Sequence, residues 1–147
     1  MTMNVQHGGW VRASFVISDS ESTIWSQGLI LEVDTSGEVI VHNNDAVGMI
    51  GLALKDRTDL TGYGPTTTST VGTPSGERAE LLLDPAYITD DDQLASGSSF
   101  TPSDLVYAAN GGKLTNAATL NRVVGVAATA AIANAGDSLD FFWNVQY

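Results

Sequence analysis

Short runs of apolar and β-branched residues recur along the chain, with turn residues between them at intervals of about ten positions. Residues 28–33 and 38–43 are two such runs, and the turn 34–37 separates them. Residues 104–109 and 113–115 flank a second turn, whose sequence is Asn-Gly-Gly. Glycine in each turn suits the positive φ that tight hairpins require. The pattern therefore predicts two β-hairpins.

Further runs complete the set of predicted strands. Residues 46–54 are apolar on both faces, which is typical of a buried central strand. The others are the β-branched run 66–73 and the apolar runs 79–83, 122–129 and 138–145. Residues 84–94 and 126–135 have weak helical features, but three consecutive Asp interrupt the first and an Asn-Ala-Gly turn ends the second. We therefore expect an all-β protein, a single small antiparallel β-sandwich or β-barrel domain.

One short phrase occurs twice. Residues 49–53 read Met-Ile-Gly-Leu-Ala and residues 123–127 read Val-Val-Gly-Val-Ala. Both have two apolar residues, then Gly, an apolar residue and Ala. Glycine inside a strand is typical of a place where a neighbouring backbone comes close. The repeat therefore predicts two equivalent strands, with chance similarity as the alternative.

The beginning of the chain differs from the rest. Residues 1–25 combine a Gly-Gly-Trp sequence, a strand candidate at 11–17 and the polar run 18–23. We expect an N-terminal arm, flexible at its start, with a first strand in residues 1–25, and a β domain in residues 26–147. The alternative is an ordinary first strand with a frayed end.

Charge and composition exclude several classes of function. The chain has 147 residues with 6 Lys+Arg and 17 Asp+Glu, a formal net charge of -11. Such an acidic chain is a poor partner for nucleic acid and for anionic membranes. It has no Cys, which excludes disulfides and thiolate chemistry, and no phosphate-loop or dinucleotide motif, so we expect no cofactor. No secretion signal is visible, which predicts synthesis in the cytoplasm.

Candidate catalytic and metal-binding residues are few. His7 and His42 are not in a metal-ligand spacing, and we expect His42 at the surface of a hairpin strand. The run Asp90–Asp92 offers oxygen ligands to a cation but lacks the alternation of a calcium loop, so a solvated turn is the simpler interpretation. A carboxylate hydrolase or lyase using Asp84, Asp90 or Asp104 is one further hypothesis.

The aromatic residues concentrate near the two ends of the chain. Trp10 and Trp25 lie near its start, and Trp143 and Tyr147 near its end. Residues 139–147 alternate apolar and polar positions, which favours a half-buried core strand. Because Trp and Tyr are enriched in subunit interfaces, the alternative is that Trp10, Trp25, Trp143 and Tyr147 anchor such an interface.

Several phrases together resemble the decoration, or cement, proteins of tailed-bacteriophage capsids. They are the two copies of the repeated phrase, at 49–53 and 123–127, the segment 103–115 (Ser-Asp-Leu-Val-Tyr-Ala-Ala-Asn-Gly-Gly-Lys-Leu-Thr), and Gly-Asp-Ser-Leu at 136–139. Ser103 stands where the family pattern has Gly. The resemblance covers residues 46–145.

This resemblance implies a structural virion protein without catalytic activity or cofactor. It would be made in the host cytoplasm, bind the outer surface of an assembled icosahedral capsid and cement neighbouring major capsid subunits of the DNA-filled head. Its partners would be the major capsid protein and itself, as a homotrimer, with no nucleic acid or membrane involved. The alternative function is a viral tail or head-fibre module that binds host glycans.

Overall fold

The computed structural model describes residues 3–43, 48–58, 77–118 and 122–145. They form thirteen β-strands and one short 3-10 turn, Ala133–Ala135. The strands are β1 (Met3–Gly8), β2 (Arg12–Val16), β3 (Ile30–Val33), β4 (Val39–Val41), β5 (Ile50–Ala53), β6 (Arg78–Leu82), β7 (Ala86–Asp90), β8 (Ser99–Phe100), β9 (Leu105–Ala108), β10 (Leu114–Thr115), β11 (Arg122–Ala127), β12 (Ala131–Ile132) and β13 (Leu139–Trp143).

Two main antiparallel sheets pack against each other, which confirms the all-β prediction. One sheet has six strands in the order β1-β7-β13-β11-β9-β10, and the other has five in the order β2-β6-β5-β3-β4. β8 and β12 form a separate pair. The weakly helical segment 84–94 contains β7, and the predicted strand 66–73 lies outside the described residues.

The two main sheets repeat one strand arrangement. β6, β5, β3 and β4 lie side by side in the five-stranded sheet, and β13, β11, β9 and β10 lie side by side in the six-stranded sheet. β2 adjoins β6 as β7 adjoins β13. We call β2–β6 the first unit and β7–β13 the second unit. The registers also match, as three pairs of counterparts show: Ile30 and Leu105, Leu52 and Val126, Leu82 and Phe142.

The two predicted hairpins are counterparts of each other. Val33 pairs with Val39 in the first, and Ala108 pairs with Leu114, each 75 positions later, in the second. Gly37 has φ 79° and Gly112 has φ 78°, so both turns use the left-handed conformation that favours glycine. The sequence prediction of these two hairpins is therefore confirmed.

The repeated phrase lies in β5 and β11, which are interior strands of their sheets. A Cβ atom on Gly51 would lie 2.8 Å from the carbonyl oxygen of Leu82, and one on Gly125 would collide with the carbonyl oxygen of Phe142. Since Leu82 and Phe142 are counterparts, the two glycines allow the same close approach of a neighbouring strand. The prediction of two equivalent strands with a close backbone neighbour is confirmed.

Two buried clusters hold the fold together. The larger contains the inward face of the six-stranded sheet and, from the first unit, Ile30, Leu52 and Leu82. The smaller lies on the opposite face of the five-stranded sheet, where Trp25 and Leu29 cover Leu31 and Leu81. One face of the first unit therefore packs on the second unit, and its other face is covered by its own loop.

The N-terminal residues follow the alternative of an ordinary first strand. β1 is an edge strand of the six-stranded sheet and pairs with β7, whereas β2 pairs with β6 in the other sheet. The described part of the segment 1–25 is thus divided between the two sheets.

Candidate interaction surfaces

The turn between β1 and β2 presents Trp10 to solvent. The Trp10 side chain is 84% exposed. Its backbone N–H donates to Asp84 Oδ2 at 2.9 Å, the Gly9 N–H donates to the Pro85 carbonyl at 3.2 Å, and Arg12 Nε donates to the Gly9 carbonyl at 3.0 Å. Because these bonds fix the turn, docking of the indole on a partner costs little backbone entropy.

A second apolar surface lies on the outward face of the six-stranded sheet. Leu105, Val126 and Phe142 are adjacent in the register of β9, β11 and β13, and all three are exposed. We call these three residues the outer face. A groove of about 320 Å³ runs along it, and its remaining lining residues are Val123, Gly125 and Asn144. None of the described residues in this lining is charged.

The counterparts of the three outer-face residues are buried, whereas the outer face itself is exposed. Ile30, Leu52 and Leu82 are fully buried in the larger cluster. The same sheet face is therefore an internal contact in the first unit and an open surface in the second. An exposed row of large apolar side chains is typical of a protein interaction site.

A polar pocket of about 530 Å³ opens beside Trp25. Its lining has charged groups and one amide, from Asp56, Arg57, Asp92, Lys113 and Gln93. Lys113 Nζ donates to Gln93 Oε1 at 2.8 Å. The pocket has the volume and hydrogen-bonding groups of a small-molecule site.

Arg57 closes the inner end of this pocket as a structural group. It is 3% exposed, and its guanidinium lies 5.1 Å from the centre of the Trp25 ring. Nε and Nη2 donate to the two carboxylate oxygens of Glu77 at 3.2 and 3.1 Å, and Nη1 donates to the carbonyls of Glu21 and Thr23 at 2.8 Å. With these bonds made, the guanidinium supports the loop that covers the first unit.

The four aromatic interface candidates have different positions. Trp10 is exposed, as an anchor must be, and Tyr147 lies outside the described residues. Trp25 is 7% exposed in the smaller cluster, and Trp143 is fully buried in the larger one. The interface interpretation of Trp25 and Trp143 is corrected on this point, because side chains enclosed by the chain's own core offer no surface to a partner.

Asp90 is fully buried, which corrects its interpretation as part of a solvated turn. Its Oδ1 accepts hydrogen bonds from the backbone N–H groups of Asp92 and Gln93, both at 3.0 Å. Its Oδ2 is buried with no hydrogen-bond partner among the described residues. Burial raises the pKa of Asp90 to about 7, against the lowering effect of the two backbone bonds.

The other candidate carboxylates bond to nearby backbone. Asp84 accepts from the Trp10 N–H, and Asp104 Oδ2 accepts from the Thr101 N–H at 2.8 Å. Both contacts pin turns, as Asp side chains commonly do. Within the described ranges, no three His, Asp or Glu side chains are grouped to hold a metal ion.

His42 is buried, so the expectation of a surface residue is wrong. It is 2% exposed, and Nδ1 lies 3.1 Å from Glu32 Oε2. Burial lowers the pKa of His42 to about 4 and raises the pKa of Glu32. The imidazole is therefore neutral at pH 7 and belongs to a buried hydrogen-bonded pair. His7 lies in β1, opposite Tyr87.

No family model matches the chain, and no curated protein matches it. In the part of the chain that the structure describes, no helix has the length and apolar character to cross a membrane.

The outer face is not predicted by the pattern of the sequence. Phe142 lies in the strand run 138–145 at a position where the alternation has polar residues, since Asp140 and Asn144 flank it on the same face. An aromatic side chain at an outward position was the signal available. Leu105 and Val126 give no such signal, because only the register of three strands places them beside Phe142.

Proposed function

We propose that this chain is a structural protein of the virion that binds the outer surface of an assembled icosahedral capsid. There it would cement neighbouring major capsid subunits and stabilise the DNA-filled head, without a catalytic step. The observation that carries the proposal is Trp10, an almost fully exposed indole on a turn fixed by backbone hydrogen bonds. Exposed Trp in a preorganised setting is typical of a protein-binding hot spot.

The charge of the chain supports a protein partner held by apolar contact. With a net charge of -11, long-range attraction to nucleic acid or to an anionic surface is unavailable. Binding must then come from the burial of apolar side chains. Trp10 provides an exposed apolar side chain of this kind on the turn between β1 and β2.

The sequence resemblance to phage decoration proteins supplies the identity of the partner. It implies a homotrimer on the capsid surface, and the all-β fold is compatible with it. The hairpin within 103–115 and both copies of the repeated phrase, on which the resemblance rests, are elements of the described structure.

The direct test is cosedimentation of the purified chain with expanded capsids of its phage. We expect saturable binding and an increase in the temperature at which the capsids release DNA. Trp10→Ala should weaken binding at least about tenfold, since loss of a hot-spot Trp costs about 2 kcal/mol or more. Ile132→Ala is the matched control, because Ile132 is also exposed, at 51%, but lies on β12.

Absence of binding to every capsid form would refute the proposal. Equal weakening by Trp10→Ala and Ile132→Ala would remove Trp10 as the contact. Circular dichroism of both variants checks that the fold is retained.

The pocket beside Trp25 favours glycan binding as the second candidate function. Its charged and amide groups could bind sugar hydroxyls, but Arg57 covers one side of the Trp25 ring, which leaves little aromatic surface for stacking. A glycan array distinguishes the two functions. Specific binding that is lost in Lys113→Ala would favour the glycan module, and a blank array would exclude it.

A further inference from the structure

The contact between the two units inside the chain has a definite geometry. The first unit contributes Ile30, Leu52 and Leu82, and these residues share one buried cluster with Ala86, Ala108 and Trp143 of the second unit. The side chains of Leu82 and Ala86 both border Gly9, so they meet at one edge of the contact. A row of the first unit thus packs on the inward face of the second.

Each side of this contact has an uncovered counterpart. The outer face, Leu105, Val126 and Phe142, is the counterpart of the row that the first unit contributes. Ala86, Ala108 and Trp143, which share the buried cluster with this row, have the counterparts Val11, Val33 and Leu83 in the first unit. We call these last three residues the inner margin.

The side chains of the inner margin are less buried than those of their counterparts. Ala86, Ala108 and Trp143 are buried, whereas Val33 and Leu83 are only partly buried and Val11 is 55% exposed. The register supports the correspondence: the Leu83 N–H bonds to the Val11 carbonyl as Trp143 pairs with Ala86. The outer face is therefore exposed, and the inner margin has one exposed residue, Val11, beside two that pack in part on the smaller cluster.

We infer that copies of this chain associate head to tail, with the outer face of one copy packed on the inner margin of the next. This contact between two chains would have the same geometry as the contact between the two units within each chain. The occupant of the outer face is thus a second copy of the chain, and Phe142 lies near the partner's Val11 as Leu82 lies near Ala86.

Charge and chemistry agree with this occupant. Two chains of net charge -11 repel each other, so their contact must be free of buried carboxylates. The groove on the outer face has no charged residue among the described residues that line it, and the inner margin consists of Val and Leu side chains. Like the internal contact, both surfaces are aliphatic or aromatic.

Head-to-tail contacts of this kind favour a closed ring of chains. Contacts between two different surfaces form a closed ring when the rotation between copies permits it. A ring of three chains would contain six structurally equivalent units. The number three rests on the proposed function, whereas the head-to-tail contact rests on the fold alone.

The area involved predicts a modest affinity for each single contact. Three exposed side chains on the outer face, together with Val11 and the accessible parts of Val33 and Leu83 on the inner margin, bury less than the roughly 1,200 Å² of a standard stable interface. We therefore expect association in the micromolar range or weaker, measured as a mass that rises with concentration in sedimentation equilibrium.

The first test compares Val126→Asp with Ile132→Asp. Both replace an exposed aliphatic side chain on a strand with a carboxylate. Val126→Asp places the charge in the outer face and should keep the chain monomeric. Ile132→Asp should associate like the wild type. A wild-type chain that stays monomeric throughout, or equal association of Val126→Asp, would overturn the inference.

The second test identifies the two surfaces. Because the chain has no Cys, Val11→Cys and Phe142→Cys each introduce a single thiol. Oxidation with diamide should give a disulfide-linked dimer when the two variants are mixed, and much less when either is alone. Phe142→Cys mixed with Ile132→Cys is the control. Equal dimer formation by Phe142→Cys alone would show a symmetric contact and overturn the inference.

The outcome is separable from that of the proposed function. These experiments use only the purified chain and measure its own association. Failure of the proposed function would appear as absence of capsid binding by the wild-type chain, whatever its mass in solution.

Discussion

Trp25 and Phe100 occupy the same position in the two units, 75 residues apart. Trp25 pairs with Arg57 across an isolated bridge, and Phe100 pairs with Ala131 between β8 and β12. Trp25 is buried in the smaller cluster and Phe100 in the larger one. The partners differ, however: the first unit uses a guanidinium over the ring, and the second uses a methyl group.

This difference predicts a large effect of Arg57→Met on stability. The substitution leaves the Glu77 carboxylate and the carbonyls of Glu21 and Thr23 without the guanidinium that they bond. Loss of one partner of a buried ion pair costs about 3–5 kcal/mol. Urea unfolding followed by Trp fluorescence measures the free energy. Lys55→Met is the control, since Lys55 is exposed and should change it by less than about 1 kcal/mol. Similar losses in both variants would contradict this view of Arg57.

The two interior glycines should be equally intolerant of a side chain. Gly51→Ala and Gly125→Ala each place a methyl group against the backbone of a neighbouring strand. We expect each to lower the free energy of unfolding by about 1–3 kcal/mol or more, the usual cost of overpacking. Val126→Ala, at an exposed position beside Gly125, should cost much less. A neutral Gly125→Ala would show that the close approach to Phe142 is not a constraint.

The hairpins and the repeated phrase could be predicted because their signals are local. Gly37 and Gly112 mark turns in the sequence itself, and Gly51 and Gly125 stand in matching apolar phrases. The full duplication could not be predicted in this way. Trp25 and Phe100, or Leu82 and Phe142, share only their size and polarity, so only the strand registers identify them as counterparts.

Burial of polar residues was the other part that the sequence did not predict. Asp90 begins a run of three Asp and His42 ends a hairpin strand, and both contexts are typical of a surface. Residues distant in sequence contact both of them: Gly28 lies against the Asp90 carboxylate, and the Gly111 N–H donates to the His42 carbonyl. Their burial is thus a long-range property of the fold. The outer face escaped prediction for the same reason, since it depends on three strands that are distant in sequence.

Asp90 should make the protein less stable as the pH rises. Its folded pKa of about 7 is above the ordinary value of 3.8, so its favourable contribution is complete below pH 4 and is lost as the pH rises through 7. The full change is up to about 4 kcal/mol. Asp90→Asn should remove it and gain stability at pH 8 relative to the wild type. Denaturant titrations from pH 4 to 8 measure this, with Asp19→Asn as the exposed control. An unchanged pH profile in Asp90→Asn would contradict the prediction.

His42 should have the opposite pH dependence. Its folded pKa of about 4 is below the ordinary 6.5, so its contribution is complete above pH 6.5 and is lost as the pH falls through 4. Between these values it opposes the effect of Asp90, and the wild-type profile should be nearly flat. His42→Gln should reveal a steady decrease of stability with rising pH, whereas Asp90→Asn should reveal an increase. The slope of stability against pH tests this even if His42→Gln lowers the stability at every pH. Parallel slopes in His42→Gln and Asp90→Asn would refute the opposite pH dependences of the two residues.

Two structurally equivalent units in one polypeptide are what the tandem duplication and fusion of a shorter gene produce. In an assembly of identical half-length subunits, every substitution changes all copies of a position at once. After fusion, each half can change alone. Phe15 in the first unit has Asp90 as its counterpart in the second, so an aromatic side chain and a carboxylate occupy one structural position. Fusion thus allows half of the subunit positions in a ring to acquire their own chemistry while all of them keep a common backbone.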